Sequence, residues 1–244
     1  MRPLRLPKIL LALATGLAAA GVGAPSASAC GSNGYSYAGL AAPARAFGIS
    51  ATVTPLTGFE VVTGHVAGWV GVGGPGLGPN GTDEWLQVGF SGFPGISGND
   101  VYYELALPGR SATYHQLATG LPSGKPARVA VLEMKRRPNF WRIWLNDRPA
   151  SQPIYMPGSH GRWAPIATAE SWDGSTGDGA CNSFLYRFQE VSIAQAPGGG
   201  WQKLVDGQPI TGSTTRLQRT GAIGSFLAAQ GPAALRVLAS LGSA

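Results

Sequence analysis

Short runs of alternating apolar and polar residues, separated by turns rich in Gly, Pro, Asn and Asp, most limit what this chain can fold into. They recur between residues 47 and 205, for example at 64–72, 84–90, 101–107, 127–134, 140–145 and 184–193. A period of two is typical of half-buried β-strands, and no helical segments alternate with the runs. The 37 glycines and 19 prolines disfavour a helical bundle. The pattern predicts an all-β sandwich or barrel.

The first 29 residues have the features of a signal peptide. Basic residues at 2, 5 and 8 precede an apolar stretch at 9–20, and Ala27-Ser28-Ala29 fits a cleavage site. The apolar stretch is too short for a secure membrane span. We therefore expect a secreted, extracellular protein without stable membrane insertion.

The remaining chain divides into three predicted parts. Residues 30–46 are small and irregular and predict an N-terminal arm, residues 47–210 form the β-sandwich domain, and residues 211–244 form a C-terminal tail. Within the tail, residues 221–241 have the apolar spacing of a short helix, interrupted at Gly231-Pro232. Such a helix could pack on the sandwich, or bind a partner or a membrane surface.

Two cysteines are present, Cys30 and Cys181. In an oxidising compartment a Cys30–Cys181 disulfide is the favoured use. Because Cys30 directly follows the predicted cleavage site, a lipid anchor to the cell envelope is the alternative. Ala27 disfavours this alternative, because lipoprotein signals usually carry Leu at that position.

Charge and spacing argue against several classes of function. Removal of the signal peptide lowers the net charge from +6 to +3, and the basic run at 135–137 is short and isolated, so we expect no nucleic-acid partner. His65, His115 and His160 lack a second His or Cys at ligand spacing, so we expect no metal and no cofactor. We also expect a monomer.

Polar residues inside the predicted strands indicate a candidate site. Because side chains alternate along a strand, Gln87 lies opposite the apolar face formed by Leu86, Val88 and Phe90. The same parity allows one common exposed face, and aromatic walls with a few convergent polar groups are typical of a ligand groove. The residues on this face are Trp69, Gln87, Tyr102, Glu104 and Glu170.

These segments resemble the eqolisins, the glutamic endopeptidases of peptidase family G1, and the chain looks like a bacterial-type secreted homologue. Trp69-Val70-Gly71-Val72 is similar to the family's Trp-Val-Gly-Ile motif, and Leu86-Gln87-Val88-Gly89-Phe90 to the strand that carries its catalytic glutamine. Tyr102-Tyr103-Glu104 is similar to a Trp-Tyr-Glu segment, and Ala169-Glu170 to the pair with the catalytic glutamate. The resemblance spans residues 64–193.

The resemblance implies a lectin-like, concanavalin-type sandwich of two antiparallel sheets that hydrolyses peptide bonds without a metal. Gln87 and Glu170 would be catalytic, and Trp69, Tyr102 and Glu104 would bind a protein or peptide substrate. Fungal members are strongly acidic and work at low pH, whereas this chain carries Gly73 and Ser91 where the family usually has Asp. We therefore expect a pH optimum closer to neutral.

Two other functions fit the same residues. A non-catalytic carbohydrate- or peptide-binding sandwich would use the aromatic side chains of the groove, because sugars stack on such rings. A glycosidase would use Glu104 and Glu170 as its paired carboxylates.

Overall fold

The computed structural model describes residues 34–174 and 182–242, which form two antiparallel β-sheets, one short 3-10 helix (Pro79–Gly81) and one α-helix. Seven strands form the first sheet, in the order β14-β1-β11-β3-β4-β5-β6. They are β1 (Tyr35–Ala41), β3 (His65–Gly74), β4 (Glu84–Gly92), β5 (Asn99–Ala106), β6 (Thr113–Leu121), β11 (Ile166–Trp172) and β14 (Gln208–Thr211).

Nine strands form the second sheet, whose main path is β10-β8-β7-β2-β12-β16-β15, with β13 paired to β12 and β9 to β8. They are β2 (Gly48–Pro55), β7 (Ala127–Glu133), β8 (Phe140–Leu145), β9 (Arg148–Pro149), β10 (Ile154–Tyr155), β12 (Phe184–Ala196), β13 (Gly199–Lys203), β15 (Thr215–Arg219) and β16 (Phe226–Gln230). Helix α1 (Pro232–Gly242) follows β16.

The core lies between the two sheets, as it does in other sandwiches. Leu86, Val88 and Phe90 of β4 are fully buried in it, together with Val53 of β2 and Phe188 of β12. The predicted all-β sandwich of two antiparallel sheets with a C-terminal helix is therefore confirmed. The alternating residues of β4 lie on the outer face of the first sheet, where the candidate site is found.

Two parts of the chain differ from the sequence-based expectation. Residues 35–41, predicted as part of an arm, form β1, which pairs with β11 and with β14 inside the first sheet. Residues 226–230, predicted as part of a helix, form β16, all five of whose residues are buried. A short apolar run that is buried on both faces has no alternation, so periodicity alone cannot distinguish a strand from a helix. The sandwich thus extends beyond the expected boundary at residue 210, and the helix begins at Pro232.

Within the described part of the chain, no helix is long and apolar enough to cross a membrane.

Candidate active site

The outer face of β3, β4, β5 and β11 carries the five candidate residues in adjacent cross-strand rows. One row contains Gly71, Gln87 and Glu104, the next Thr168, Trp69, Gly89 and Tyr102, and the third Glu170, Ala67 and Ser91. Gln87 and Glu170 therefore lie in different rows, on β4 and β11, with Trp69 in the row between them.

Glycines keep the floor of this face low. A Cβ atom added to Gly71 would lie 2.9 Å from Cβ of Gln87 and 3.1 Å from Cζ3 of Trp69. At Gly89 an added Cβ would collide with the backbone oxygen of Gly68 and would lie 2.6 Å from Cα of Trp69. Both positions therefore require glycine, because an added Cβ atom would come too close to neighbouring atoms, including those of Trp69.

Gln87 is held by a buried hydrogen bond. Its side chain is 7% exposed, and Nε2 donates to the hydroxyl of Tyr102 over 2.9 Å. Tyr102 is itself fixed by stacking on Tyr114, with ring centroids 4.9 Å apart. Since an amide nitrogen carries two hydrogens, the Gln87 amide keeps a second donor for another partner.

Glu170 faces the same side of the sheet and is also buried, at 5% exposure. Its Oε1 lies 3.4 Å from Nε2 of His65. The His65 ring is surrounded by Tyr35, Phe93 and Trp172, with centroid separations of 5.7 to 6.1 Å. This aromatic enclosure fixes the imidazole beside the carboxyl group.

Glu104 is the second carboxyl group of the site. Burial is the largest influence and raises its pKa above the ordinary value. A hydrogen bond donated by Nε1 of Trp85 over 2.8 Å lowers the pKa. The negative charge of Glu170 raises it further, and His65 has a smaller, lowering effect. The net direction is upward, so Glu104 keeps its proton to higher pH than an exposed glutamate does. A protonated carboxyl can donate a hydrogen bond, which an ionised one cannot.

Two cavities open on this face, of about 360 and 350 Å³, and both are lined by His65, Glu104 and Glu170. Gln87 and Trp69 line the first, and Tyr102 lines the second. The remaining walls of the first cavity are mostly apolar and include Tyr35, Tyr37, Leu77, Trp85, Ile166 and Ile210. A buried amide and two carboxyl groups with apolar walls can bind a neutral, partly apolar substrate and move a proton on it.

The structure thus brings all five predicted residues to one face, but they are mostly buried instead of openly exposed. Sequence reasoning missed Tyr37 and His65, which stand beside Glu170 in the cavity. His65 has the same strand parity as Trp69, so parity along β3 could have included it. Tyr37 gave no such signal, because β1 was not recognised as a strand.

Within residues 34–174 and 182–242, no group of three or more His, Cys, Asp or Glu side chains could hold a metal ion. Cys30 and Cys181, the predicted disulfide pair, lie outside the described residues.

Comparison with known proteins gives structural matches only. No model of a protein family matches the sequence, and the search of curated proteins found no match. Among solved structures, this chain is similar to scytalido-glutamic peptidase in two complexes. The complex with a peptide-based transition-state analogue matches with a TM-score of 0.53 and 15% identity. The complex with a transition-state analogue inhibitor matches with a TM-score of 0.56 and 14% identity. SCP-B, a member of the eqolisin family of peptidases, in complex with the tripeptide Ala-Ile-His, matches with a TM-score of 0.50 and 15% identity.

Each of these three matches covers 82% of this chain and 98% of the other. At 14–15% identity the likeness concerns the fold alone: this chain has a β-sandwich fold resembling that of the glutamic peptidases.

Proposed function

We propose that the protein is an exported glutamic endopeptidase in which Glu170 is the general base and Gln87 stabilises the oxyanion. The observation that carries this proposal is that a buried amide and a buried carboxyl group line one cavity on the outer face of the first sheet. The fold likeness to glutamic peptidases supports it.

Glu170 would act on the attacking water. Its carboxylate takes one proton from the water as the oxygen attacks the peptide carbonyl carbon, and then returns that proton to the leaving amine. The carboxyl group therefore ends the cycle as it began, and no covalent bond to the protein forms. His65, at 3.4 Å, would hold the carboxylate in place during both transfers.

Gln87 would bind the oxygen that becomes negative. One amide hydrogen is already donated to Tyr102, which fixes the orientation of the side chain, and the other is left for the oxyanion. A pre-positioned donor of this kind contributes about 3 kcal/mol to catalysis in other enzymes. A neutral amide keeps this function at acid pH, where a carboxylate would be protonated.

Trp69, Tyr102 and Glu104 would bind the substrate. Trp69 forms one wall of the first cavity, Tyr102 part of the second, and Glu104 lies between them. With its raised pKa, Glu104 would donate a hydrogen bond to a peptide carbonyl in acid solution. The apolar walls favour large apolar side chains next to the cleaved bond.

The test is cleavage of a denatured protein by residues 30–244 between pH 2 and 7, with pepstatin and a chelator present. We expect activity that survives both inhibitors. Glu170→Gln should lower kcat by at least about 100-fold and Gln87→Ala by about 100- to 1000-fold. Tyr102→Phe, which removes the hydroxyl group that holds the Gln87 amide, should lower it by about 2- to 10-fold. Glu190→Gln, on the other sheet, is the matched control and should cleave like the wild type.

Full activity in a folded Glu170→Gln variant would refute the assignment. A folded wild-type protein that cleaves nothing at any pH would favour the second candidate, a binding module without catalysis. The observation that favours that candidate is the aromatic lining of the cavity, which suits stacking of a ligand.

A further inference from the structure

A third cavity lies on the opposite side of the molecule, on the outer face of the second sheet. Its volume is about 260 Å³. We call it the tryptophan trough and define it by Ser50, Arg128, Ala130, Leu132, Trp144 and Trp201. The hydrophobic core separates the trough from the candidate active site, so the trough can have a function of its own.

The register of the strands builds the trough from a low floor and two high walls. Ser50 of β2 lies between Ala130 of β7 and Ser192 of β12, so the floor consists of small side chains. Trp144 of β8 pairs with Ala130 and forms one wall. Trp201 of β13, which is 39% exposed, forms the other.

Four charged side chains at the rim form ion pairs with one another. Arg128 donates from Nε to Asp147 over 3.1 Å and from Nη1 to Glu190 over 3.5 Å. Lys203 also donates to Glu190, over 3.3 Å. Two cations thus face two carboxylates, so these four charges are already paired with one another. The rim nevertheless offers both hydrogen-bond donors and acceptors side by side.

We infer that the tryptophan trough binds an uncharged saccharide, as one or two rings of a longer chain. The faces of indole rings carry partial negative charge, and the C–H groups on one face of a sugar ring carry partial positive charge, so the two stack. Sugar hydroxyl groups both donate and accept, which matches Asp147 and Arg128 at the rim. The volume is below that of pockets that enclose a whole drug-sized ligand, so the rest of the chain would extend into solvent.

A proline-rich peptide is the other ligand that grooves with aromatic walls can take. Its backbone offers carbonyl acceptors and needs donors from the protein. Nε1 of Trp144 is buried, so it cannot serve such a carbonyl, and the side-chain donors of Arg128 and Lys203 already bond to carboxylates. The carboxylates of the rim would also find no donor on prolines. The chemistry of the trough therefore favours the saccharide.

The test is calorimetric titration of residues 30–244 with hexasaccharides of β-1,4-linked glucose, xylose, mannose and N-acetylglucosamine. Polygalacturonate serves as the acidic comparison and a proline-rich decapeptide as the peptide comparison. We expect the wild type to bind at least one neutral hexasaccharide more tightly than either comparison ligand. Trp201→Ala should weaken that binding by at least about tenfold, as loss of a central aromatic contact does elsewhere.

Three further variants make the result specific. Asp147→Asn, at a side chain that is 80% exposed, should weaken binding without affecting folding. Tyr155→Ala removes another exposed aromatic side chain of the same sheet, outside the trough, and should bind like the wild type. Glu170→Gln should also bind normally, because the candidate active site lies on the other sheet.

The inference is overturned if no neutral hexasaccharide binds at millimolar concentration, or if Trp201→Ala binds as well as the wild type. Loss of binding in Glu170→Gln would place the saccharide in the cleft of the first sheet instead. Tighter binding of polygalacturonate or of the peptide would also overturn it. None of these results depends on whether the protein cleaves peptides.

Discussion

At the scale of single residues, Glu84 is an ionisable group in an unusual environment. It begins β4, its side chain is fully buried, and neither carboxyl oxygen has a hydrogen-bond partner among the described residues. Burial raises its pKa to about 7, although the charge of Arg162 opposes the shift. In the folded protein the Glu84 carboxyl group therefore stays protonated, and so uncharged, below about pH 7.

The raised pKa predicts that the protein loses stability as the pH rises. Below the ordinary pKa of 4.5 both the folded and the unfolded chain hold the Glu84 proton, so the contribution of Glu84 to the free energy of unfolding is at its most favourable. Between pH 4.5 and about 7 the unfolded chain releases its proton while the folded chain does not, so the free energy of unfolding falls by about 3 kcal/mol. Above about pH 7 the loss is complete.

Urea unfolding of the wild type and of Glu84→Gln at pH 4, 5.5 and 7.5 measures this contribution. The amide cannot ionise, so the variant should lose about 3 kcal/mol less between the first and last pH. Glu60→Gln, at an exposed position, should keep the wild-type pH dependence. Parallel curves for the wild type and Glu84→Gln would contradict the assignment.

Residue-scale patterns predicted part of the candidate site. Strand parity alone placed Gln87, Glu104 and Trp69 on one face, because parity is a local property of each strand. Parity could not predict the 3.4 Å contact between Glu170 and His65, because that contact depends on the register between β11 and β3. The buried environment of Glu84 could not be predicted either, since it depends on the packing of Arg162 and the chain between β3 and β4.

At the scale of elements, the helix α1 settles one alternative that the sequence left open. Ala234 and Leu238 are buried in a small cluster with Leu185 of β12 and with Leu227 and Ala229 of β16. The helix therefore packs on the sandwich, and its apolar face is used by the fold.

This packing predicts a matched pair of substitutions in α1. Leu238→Ala should lower the free energy of unfolding by about 2 to 4 kcal/mol, because it removes a buried side chain and leaves a cavity. Val237→Ala, one position earlier and 38% exposed, should change it by less than about 1 kcal/mol. Denaturant unfolding of both variants distinguishes them, and equal, small effects would mean that the helix does not contribute to the folded domain.

The sequence patterns did not predict two of the strands, β16 and β1, and the physical reason differs between them. β16 is buried along its whole length, so its Phe-Leu-Ala-Ala-Gln sequence shows no alternation. β1, by contrast, consists largely of small and aromatic residues, and its burial depends on β11 and β14, which follow more than a hundred residues later. Local composition does not report such distant pairing.

At the scale of the whole molecule, distant parts of the chain complete the first sheet. β1, from the start of the described residues, lies between β11 and β14 and pairs with β11 through seven residues. Tyr37 of β1 lies directly opposite Glu170, and both Tyr35 and Tyr37 line the first cavity. The sheet and one wall of the cavity therefore both depend on β1.

A chain of residues 43–244 should consequently lose both folding and cleavage, compared with residues 30–244. Without β1, the strand that carries Glu170 becomes an edge strand with free backbone N–H and C=O groups on one side, and β14 loses the strand with which it pairs in the described part of the chain. Near-ultraviolet circular dichroism and size-exclusion chromatography should show a loosened or self-associating protein.

A synthetic peptide of residues 34–42 should restore the sheet in trans by strand addition, whereas a scrambled peptide of the same composition should not. If residues 43–244 fold and cleave as well as the longer chain, β1 is a covering strand, and Tyr37 contributes nothing to the position of Glu170.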